Sequence, residues 1–327
     1  MAKVMIVDSV ASEAARLLER EGHEVKLISS GLQTKELLDC SIGCQGLIVR
    51  SGTKVTASFM QARPELAVVG RAGVGVDNID VAAASQHGIL VVNAPTGNTV
   101  AAAEHTLALM LALARHIPQA MGTLQQGRWE RQRFRGVELA GKTLGVLGLG
   151  RVGSAVAQRV EALGMRVLAY DPYVSAGTIP SDNIELTSFK EVLRQADFLT
   201  LHLPLTEETQ GLISREALNM MKPGVRLINA ARGPLVDEQA LADALVSGQV
   251  AGAALDVLAE EPCTDSPLLG LENVIITPHL GASTEEAQVH VAVEVAEQVA
   301  TALAGRRPEH CLNWDETRRH EATACAM

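Results

Sequence analysis

Gly148-Leu-Gly-Arg-Val-Gly153 is the sharpest chemical signal in the 327-residue sequence. It follows an apolar run, Thr143–Leu147, opens a helical pattern, Val152–Ala162, and precedes a second apolar run and then Asp171. That context is what a dinucleotide-binding turn requires. Gly148 permits the tight turn, Gly150 lets backbone approach a pyrophosphate, and Gly153 lets helix and strand pack closely. Backbone N–H groups at the helix start face the phosphates. Asp171 can accept hydrogen bonds from ribose hydroxyls and would repel a 2′-phosphate. No Arg or Lys lies between Asp171 and Lys190, so NAD is favoured over NADP. The bland alternative is a glycine turn with no cofactor.

Three further stretches carry reactive side chains: Asn229-Ala-Ala-Arg-Gly233, Asp256-Val-Leu-Ala-Glu-Glu-Pro262 and Thr277-Pro-His-Leu-Gly281. Arg232 and His279 each follow a strand-like run closely, and ligands of open α/β sheets sit at the carboxyl ends of strands. An Arg, a Glu and a His delivered there suit hydride transfer on a hydroxy acid. The Arg can pair with a carboxylate, the His can exchange a hydroxyl proton near neutral pH, and the Glu can favour the protonated imidazole. By residue type alone, a lone His after a strand such as His279 is more often a satisfied structural residue, and a pair such as Glu260–Glu261 is usually a solvated loop.

These residues need a frame, and short apolar runs alternating with helical patterns supply it. Strands are expected at Val4–Val7, Gly46–Val49, Ala67–Val69, Leu90–Val92, Thr143–Leu147, Arg166–Ala169, Phe198–Leu201, Arg226–Asn229, Ala253–Leu255 and Val274–Thr277. Helices are expected at Ala11–Glu21, Thr99–Arg115, Val152–Ala162, Ser188–Gln195, Glu238–Ser247 and Ser283–Ala304. The alternation implies βαβ units and mostly parallel sheets. A strand–helix–strand unit at the N-terminus echoes the one around Gly148 but lacks its glycine loop. The expected architecture is α/β: two Rossmann-like lobes with parallel sheets, the nucleotide lobe (99–282) inserted into a discontinuous substrate lobe (1–98 and 283–327). Ser283-Thr-Glu-Glu286 has capping-box spacing, which places a helix start at Ser283. The tail from Arg306 to Met327 has no clear period and reads as loose or only partly ordered.

Composition narrows the partners. Aromatic residues make up 2% of the chain and the net charge is −10, so single strands have little to stack on and DNA or anionic membrane meets the wrong sign. Thr99–Ile117, the most apolar stretch, carries Glu104, His105 and Arg115 and falls far short of a membrane span. Cys40, Cys44, Cys263, Cys311 and Cys325 lack a disulfide or metal-site spacing and read as reduced thiols. No metal is expected, and a soluble, cytoplasmic location is.

Gly148–Gly153, Asn229–Gly233, Glu260–Pro262 and Pro278-His-Leu-Gly-Ala-Ser-Thr284 together resemble the D-isomer-specific 2-hydroxyacid dehydrogenases. Leu47–Ser51, Gly70–Asn78, Gly127-Arg-Trp-Glu-Arg131 and Gly141–Gly145 narrow the resemblance, over about residues 3–305, to the branch acting on 3-phosphoglycerate. It implies NAD-dependent oxidation of 3-phospho-D-glycerate to 3-phosphohydroxypyruvate, the first step of phosphorylated serine biosynthesis. The family also holds glyoxylate and hydroxypyruvate reductases and NAD-binding corepressors, which the catalytic residues alone do not separate. By resemblance, catalysis falls on Arg232, Glu261 and His279. Cofactor contacts fall on Val74, Arg151, Val152, Asp171, Leu203, Ala230, Ala231, Arg232, Asp256, His279, Leu280, Gly281 and Ala282, beside the three glycines. Substrate contacts fall on Arg50, Val74, Gly75, Asn98, Arg232 and His279. Lys54, Arg131 and Arg133 are further candidate cations for the substrate phosphate. The resemblance also implies a homodimer paired around Thr99–Phe134. Longer relatives continue into regulatory domains where this chain reads Arg306-Arg-Pro-Glu-His-Cys-Leu-Asn-Trp-Asp315, so serine feedback through such domains is not expected.

Overall fold

Uniformly apolar runs of four to six residues become strands when helices cover both sheet faces, and this chain forms two such sheets. The computed structural model describes residues 1–28, 34–175, 177, 181 and 183–317. Their contacts divide the chain into two units, Met1–Asn98 with the residues from Ala282 onward, and Thr99–Gly281.

The first unit holds β1 (Lys3–Ile6), β2 (Glu24–Leu27), β3 (Gly46–Val49), β4 (Val68–Arg71) and β5 (Leu90–Asn93), all parallel in the order β2-β1-β3-β4-β5. Alternate strand residues point to opposite faces. Val4, Ile6, Ile48 and Val92 therefore pack with Leu18 of α1 (Ser12–Arg20) and Val295 and Val299 of α11 (Glu285–Leu303). Met5, Val49, Val69 and Val91 pack on the other face with Phe59 and Met60 of α3 (Ala57–Gln61). Helices α2 (Thr34–Cys40) and α4 (Val81–Gln86) complete the unit.

The second unit holds β6 (Thr143–Leu147), β7 (Arg166–Tyr170), β8 (Ile184–Leu186), β9 (Phe198–Leu201), β10 (Val225–Asn229), β11 (Val250–Leu255) and β12 (Val274–Ile276). All neighbours are parallel, in the order β12-β11-β10-β9-β6-β7-β8. Strand order reverses between β9 and β6, and such a switch point opens a crevice at the carboxyl ends. The glycine loop leaves β6 there. Around the sheet lie α5 (Thr99–Ala114), α6 (Ile117–Gln125), α7 (Arg151–Glu161), α8 (Phe189–Gln195), α9 (Arg215–Met220) and α10 (Glu238–Ser247). Ser188, Ser214 and Asp237 cap α8, α9 and α10 through their side-chain oxygens, each such cap stabilising by about 1 kcal/mol.

The structure corrects the helix start expected at Ser283 and sharpens the reading of the tail. Thr284, not Ser283, caps α11: its Oγ1 accepts from Ala287 N at 3.1 Å. That register puts Ala287 where a reciprocal capping box needs a Glu, so the S-x-x-E spacing is coincidental. Residues 306–317, part of the tail read as loose or only partly ordered, are ordered. Cys311 bridges Val92 antiparallel, and buried Asn313 accepts from Val91 N at 2.8 Å and donates to Ile89 O at 2.9 Å. These bonds cover the open edge of β5. Residues 318–327 lie outside the described residues. Cys40, Cys44, Cys263 and Cys311 are free thiols. Among the described residues no helix is long and apolar enough to cross a membrane.

Candidate active site

Three successive strand ends, those of β10, β11 and β12, deliver the reactive side chains. Asn229 closes β10 and pins the next turn: its Oδ1 accepts from Ala231 N at 3.0 Å and its Nδ2 donates to Arg232 O at 2.8 Å. Arg232 Nη1 donates to Ala231 O at 2.7 Å. Gly233 follows because no side chain fits there; a Cβ would lie 1.9 Å from Leu258 O. The Arg232 turn therefore rests directly on the backbone of the loop after β11. Leu258 N in that loop donates to Glu261 Oε1 at 3.2 Å, and Glu261 Oε2 accepts from His279 Nδ1 at 2.6 Å. With Nδ1 held by the carboxylate, Nε2 is the ring nitrogen left for proton exchange. Partial burial pushes the Glu261 carboxyl up. The His279 hydrogen bond and charge, the Leu258 N–H and the Arg232 charge outweigh that and hold it below its ordinary value. Arg232, Glu261 and His279, 47 residues apart at most along the chain, thus form one connected group.

His279 has a left-handed backbone, φ 55°, which is uncommon outside glycine and needs support from its surroundings. Asp256 supplies it. Its carbonyl accepts from His279 N at 2.9 Å, its Oδ1 from Leu280 N at 2.7 Å and its Oδ2 from Gly281 N at 2.7 Å. Asp256 is 1% exposed, so its carboxylate is an internal clamp on the histidine turn. The resemblance gives it only as a cofactor contact. Burial raises its carboxyl, while His105, Thr277 and the Leu280 N–H bring it below the ordinary value overall.

The dinucleotide loop has the required geometry. Gly148 has φ 92°, and a Cβ there would meet His202 O at 2.6 Å. A Cβ on Gly153 would lie 2.0 Å from Gly148 O. Gly150 caps α7 and has open space on its Cβ side, so backbone and the N–H groups of Arg151 and Val152 are open to a phosphate. Asp171 accepts from Leu149 N at 2.8 Å and from Tyr173 N at 2.9 Å, one on each oxygen. Each oxygen keeps a second lone pair for a ribose hydroxyl. This cradle fits NAD. Leu203 is 9% exposed beside it, and Ala230 and Ala231 are half-buried, which leaves backbone atoms as their means of contact. His202, at the end of β9, is pushed down to about 4 by burial and stays neutral.

Arg50, Val74, Gly75 and Asn98 belong to the first unit, where β3, β4 and β5 are adjacent. Arg50 N donates to Asp8 Oδ2 at 2.8 Å and its Nη1 to Ser9 O at 3.2 Å. Asn78 Nδ2 donates to both Arg50 O and Thr53 O, and Asn93 Nδ2 to Val74 O at 2.6 Å. The turns after these strands are thereby tied together. Asn98 Oδ1 is buried without a hydrogen-bond partner. Ala282 also falls in this unit. Of the candidate phosphate cations, Arg133 is engaged by Glu130 at 3.0 Å and Glu272 at 2.5 Å. No cluster of three or more His, Cys, Asp or Glu among the described residues could hold a metal.

Residues 107–281 match the family described as "D-isomer specific 2-hydroxyacid dehydrogenase, NAD binding domain". A D-3-phosphoglycerate dehydrogenase of Methanocaldococcus jannaschii is 49% identical over 314 residues, 96% of this chain and 60% of that protein. One from Mycobacterium tuberculosis is 52% identical over 302 residues, 92% of this chain and 57% of its own. The chain thus spans under two thirds of the length of these curated relatives. The crystal structure of the TT0316 protein of Thermus thermophilus superposes with a TM-score of 0.87 at 37% identity, covering 95% of this chain and 99% of that one. The chain belongs to the D-isomer-specific 2-hydroxyacid dehydrogenases, an NAD-binding family.

Proposed function

We propose that this chain oxidises 3-phospho-D-glycerate to 3-phosphohydroxypyruvate with NAD, the first step of the phosphorylated route to serine. The observation that carries the chemistry is the connected group of Arg232, Glu261 and His279, with the 2.6 Å His279–Glu261 bond at its centre. The choice of substrate rests on the relatives' names. Arg232 pairs with the substrate carboxylate. His279 Nε2 takes the hydroxyl proton as C2 becomes a carbonyl, and Glu261 stabilises the imidazolium. In the reverse direction the imidazolium returns that proton. Bound NAD supplies the hydride acceptor. In this assignment the 99–282 region holds the dinucleotide, and the region 1–98 with 283–327 contributes substrate contacts through Arg50, Val74, Gly75 and Asn98.

We also infer a homodimer paired around Thr99–Phe134, through α6 and the segment that follows it. Ile117, Met121, Leu124 and Trp129 there are all more than half exposed, and Trp129 is 81% exposed. Apolar groups clustered in this way mark interaction surfaces. Free thiols suit a reducing compartment such as the cytoplasm. The deciding experiment is NADH formation by the purified protein with 3-phosphoglycerate, glycerate, lactate and malate side by side. A strong preference for the phosphorylated acid supports the proposal. A preference for an unphosphorylated acid points to a reductase of the same family, and no turnover with any of them points to a corepressor.

A further inference from the structure

The clamp on the His279 turn does not end at Asp256. His105, in the second turn of α5, reaches the same carboxylate: its Nε2 lies 3.1 Å from Asp256 Oδ1 and 3.2 Å from Thr277 Oγ1. Thr277 Oγ1 in turn donates to Asp256 Oδ1 at 2.6 Å. A single carboxylate oxygen therefore gathers an imidazole N–H from α5, a hydroxyl from the end of β12 and the amide of Leu280. The Asp256 side chain has no exposed surface and that of His105 is 20% exposed, so water is a poor substitute for any of these donors. α5 is mostly apolar, with Ala101, Ala102, Leu109, Met110 and Leu113 buried. Its one histidine is spent on an acid 151 residues away.

We propose that His105 is a positioning residue: by holding the Asp256 carboxylate it fixes the Thr277–Gly281 turn and, with it, the left-handed backbone from which His279 meets Glu261. This rests on the assignment of His279 as the proton acceptor. Without His105, Asp256 loses its donor from α5 and is left with Thr277 and the amides of the turn it positions. Leu280 and Gly281 then have a less firmly anchored acceptor, and His279 can relax toward an ordinary negative φ. The imidazole would leave Glu261 without any residue of the reacting group having been changed. Such misplacement by about 1 Å costs roughly a hundredfold in rate.

The test compares His105→Phe with His105→Gln, whose side-chain amide can reproduce the Nε2 donor. Two quantities are read: amide hydrogen exchange in the ligand-free protein, and kcat and KM with NAD and the preferred 2-hydroxy acid. In H105F the Leu280 and Gly281 amides should exchange at least ~10-fold faster, and kcat should fall ~10- to 100-fold with KM changed less than about threefold. H105Q should restore both to within a few-fold of wild type. Unchanged exchange at Leu280 and Gly281 in H105F, or an H105Q no better than H105F, overturns the proposal. Equal loss of protection throughout α5 and β11 in both variants shows a merely structural histidine and overturns it too. A wild type that turns over no hydroxy acid refutes the functional assignment instead, and the exchange measurement still decides the role of His105.

Discussion

Replacing Glu261 with Gln keeps the side chain's shape but removes its charge and one of its two acceptor oxygens. The one remaining amide oxygen can still accept from His279 Nδ1, at the expense of the Leu258 N bond that the second carboxylate oxygen made, while the counter-charge to the developing imidazolium is gone. Two unit charges about 4 Å apart attract by ~4 kcal/mol at an effective dielectric of about 20 and by ~1 kcal/mol in bulk water. The side chains of His279 and Glu261 are 42% and 38% exposed, which places the pair toward the watery limit, so we take ~1–2 kcal/mol. That corresponds to a fall of roughly 5- to 30-fold in kcat/KM. The assay is the initial rate of NADH formation at saturating NAD, with circular dichroism confirming the fold. Glu261→Ala should lose more, because it also leaves His279 Nδ1 without its acceptor. The sign with pH follows from the carboxyl's lowered pKa: its contribution to stability is present above the ordinary value of 4.5 and is lost as pH falls through the folded value. An E261Q enzyme within twofold of wild type would refute the electrostatic role of Glu261.

Gly153→Ala places a methyl carbon 2.0 Å from Gly148 O, so the loop must move; NAD affinity measured by calorimetry should fall at least ~10-fold, since the close helix–strand approach is what aims the backbone at the pyrophosphate. His202, pushed from 6.5 to about 4 by burial, must stay neutral in the folded state. The unfolded chain binds its proton more readily, so folding stability should drop by up to ~3 kcal/mol as pH falls from 6.5 to 4, and His202→Gln should flatten that part of the curve. Asn313→Ala strips the edge of β5 of its bonds to Val91 N and Ile89 O; a loss of ~2–4 kcal/mol is expected in urea unfolding, whereas an unchanged midpoint would show that the tail adds nothing to the fold.

Much of this was readable because the physics was local. The glycine spacing, the strand before it and the helix after it lie in one short segment, and β3, β6 and β9 coincide with their apolar runs residue for residue. What escaped was short or distant. β8 is three residues, Ile-Glu-Leu, with only Ile184 buried, too little to set a period. α3 and α4 have five and six residues and one helical turn of buried surface each. Choosing between Glu260 and Glu261 needed the family resemblance, since nothing in two consecutive carboxylates says which one the loop turns toward His279. The ordering of the tail depends on Asn313 meeting the open edge of β5, more than two hundred residues away in sequence. His105 was hidden in an apolar helix for the same reason: its meaning lies in Asp256, and no local pattern carries that pairing. Asp256 carried a family expectation, yet its clamp on the His279 turn became visible only in three dimensions.

The most direct test is His279→Gln, with NAD affinity and turnover of the preferred 2-hydroxy acid measured on the same preparation. Proton exchange at Nε2 predicts NAD binding within a few-fold of wild type and kcat reduced by roughly a thousandfold, within the range that general acid–base catalysis supplies. Retention of kcat within tenfold would contradict it, because the proton would then have another acceptor.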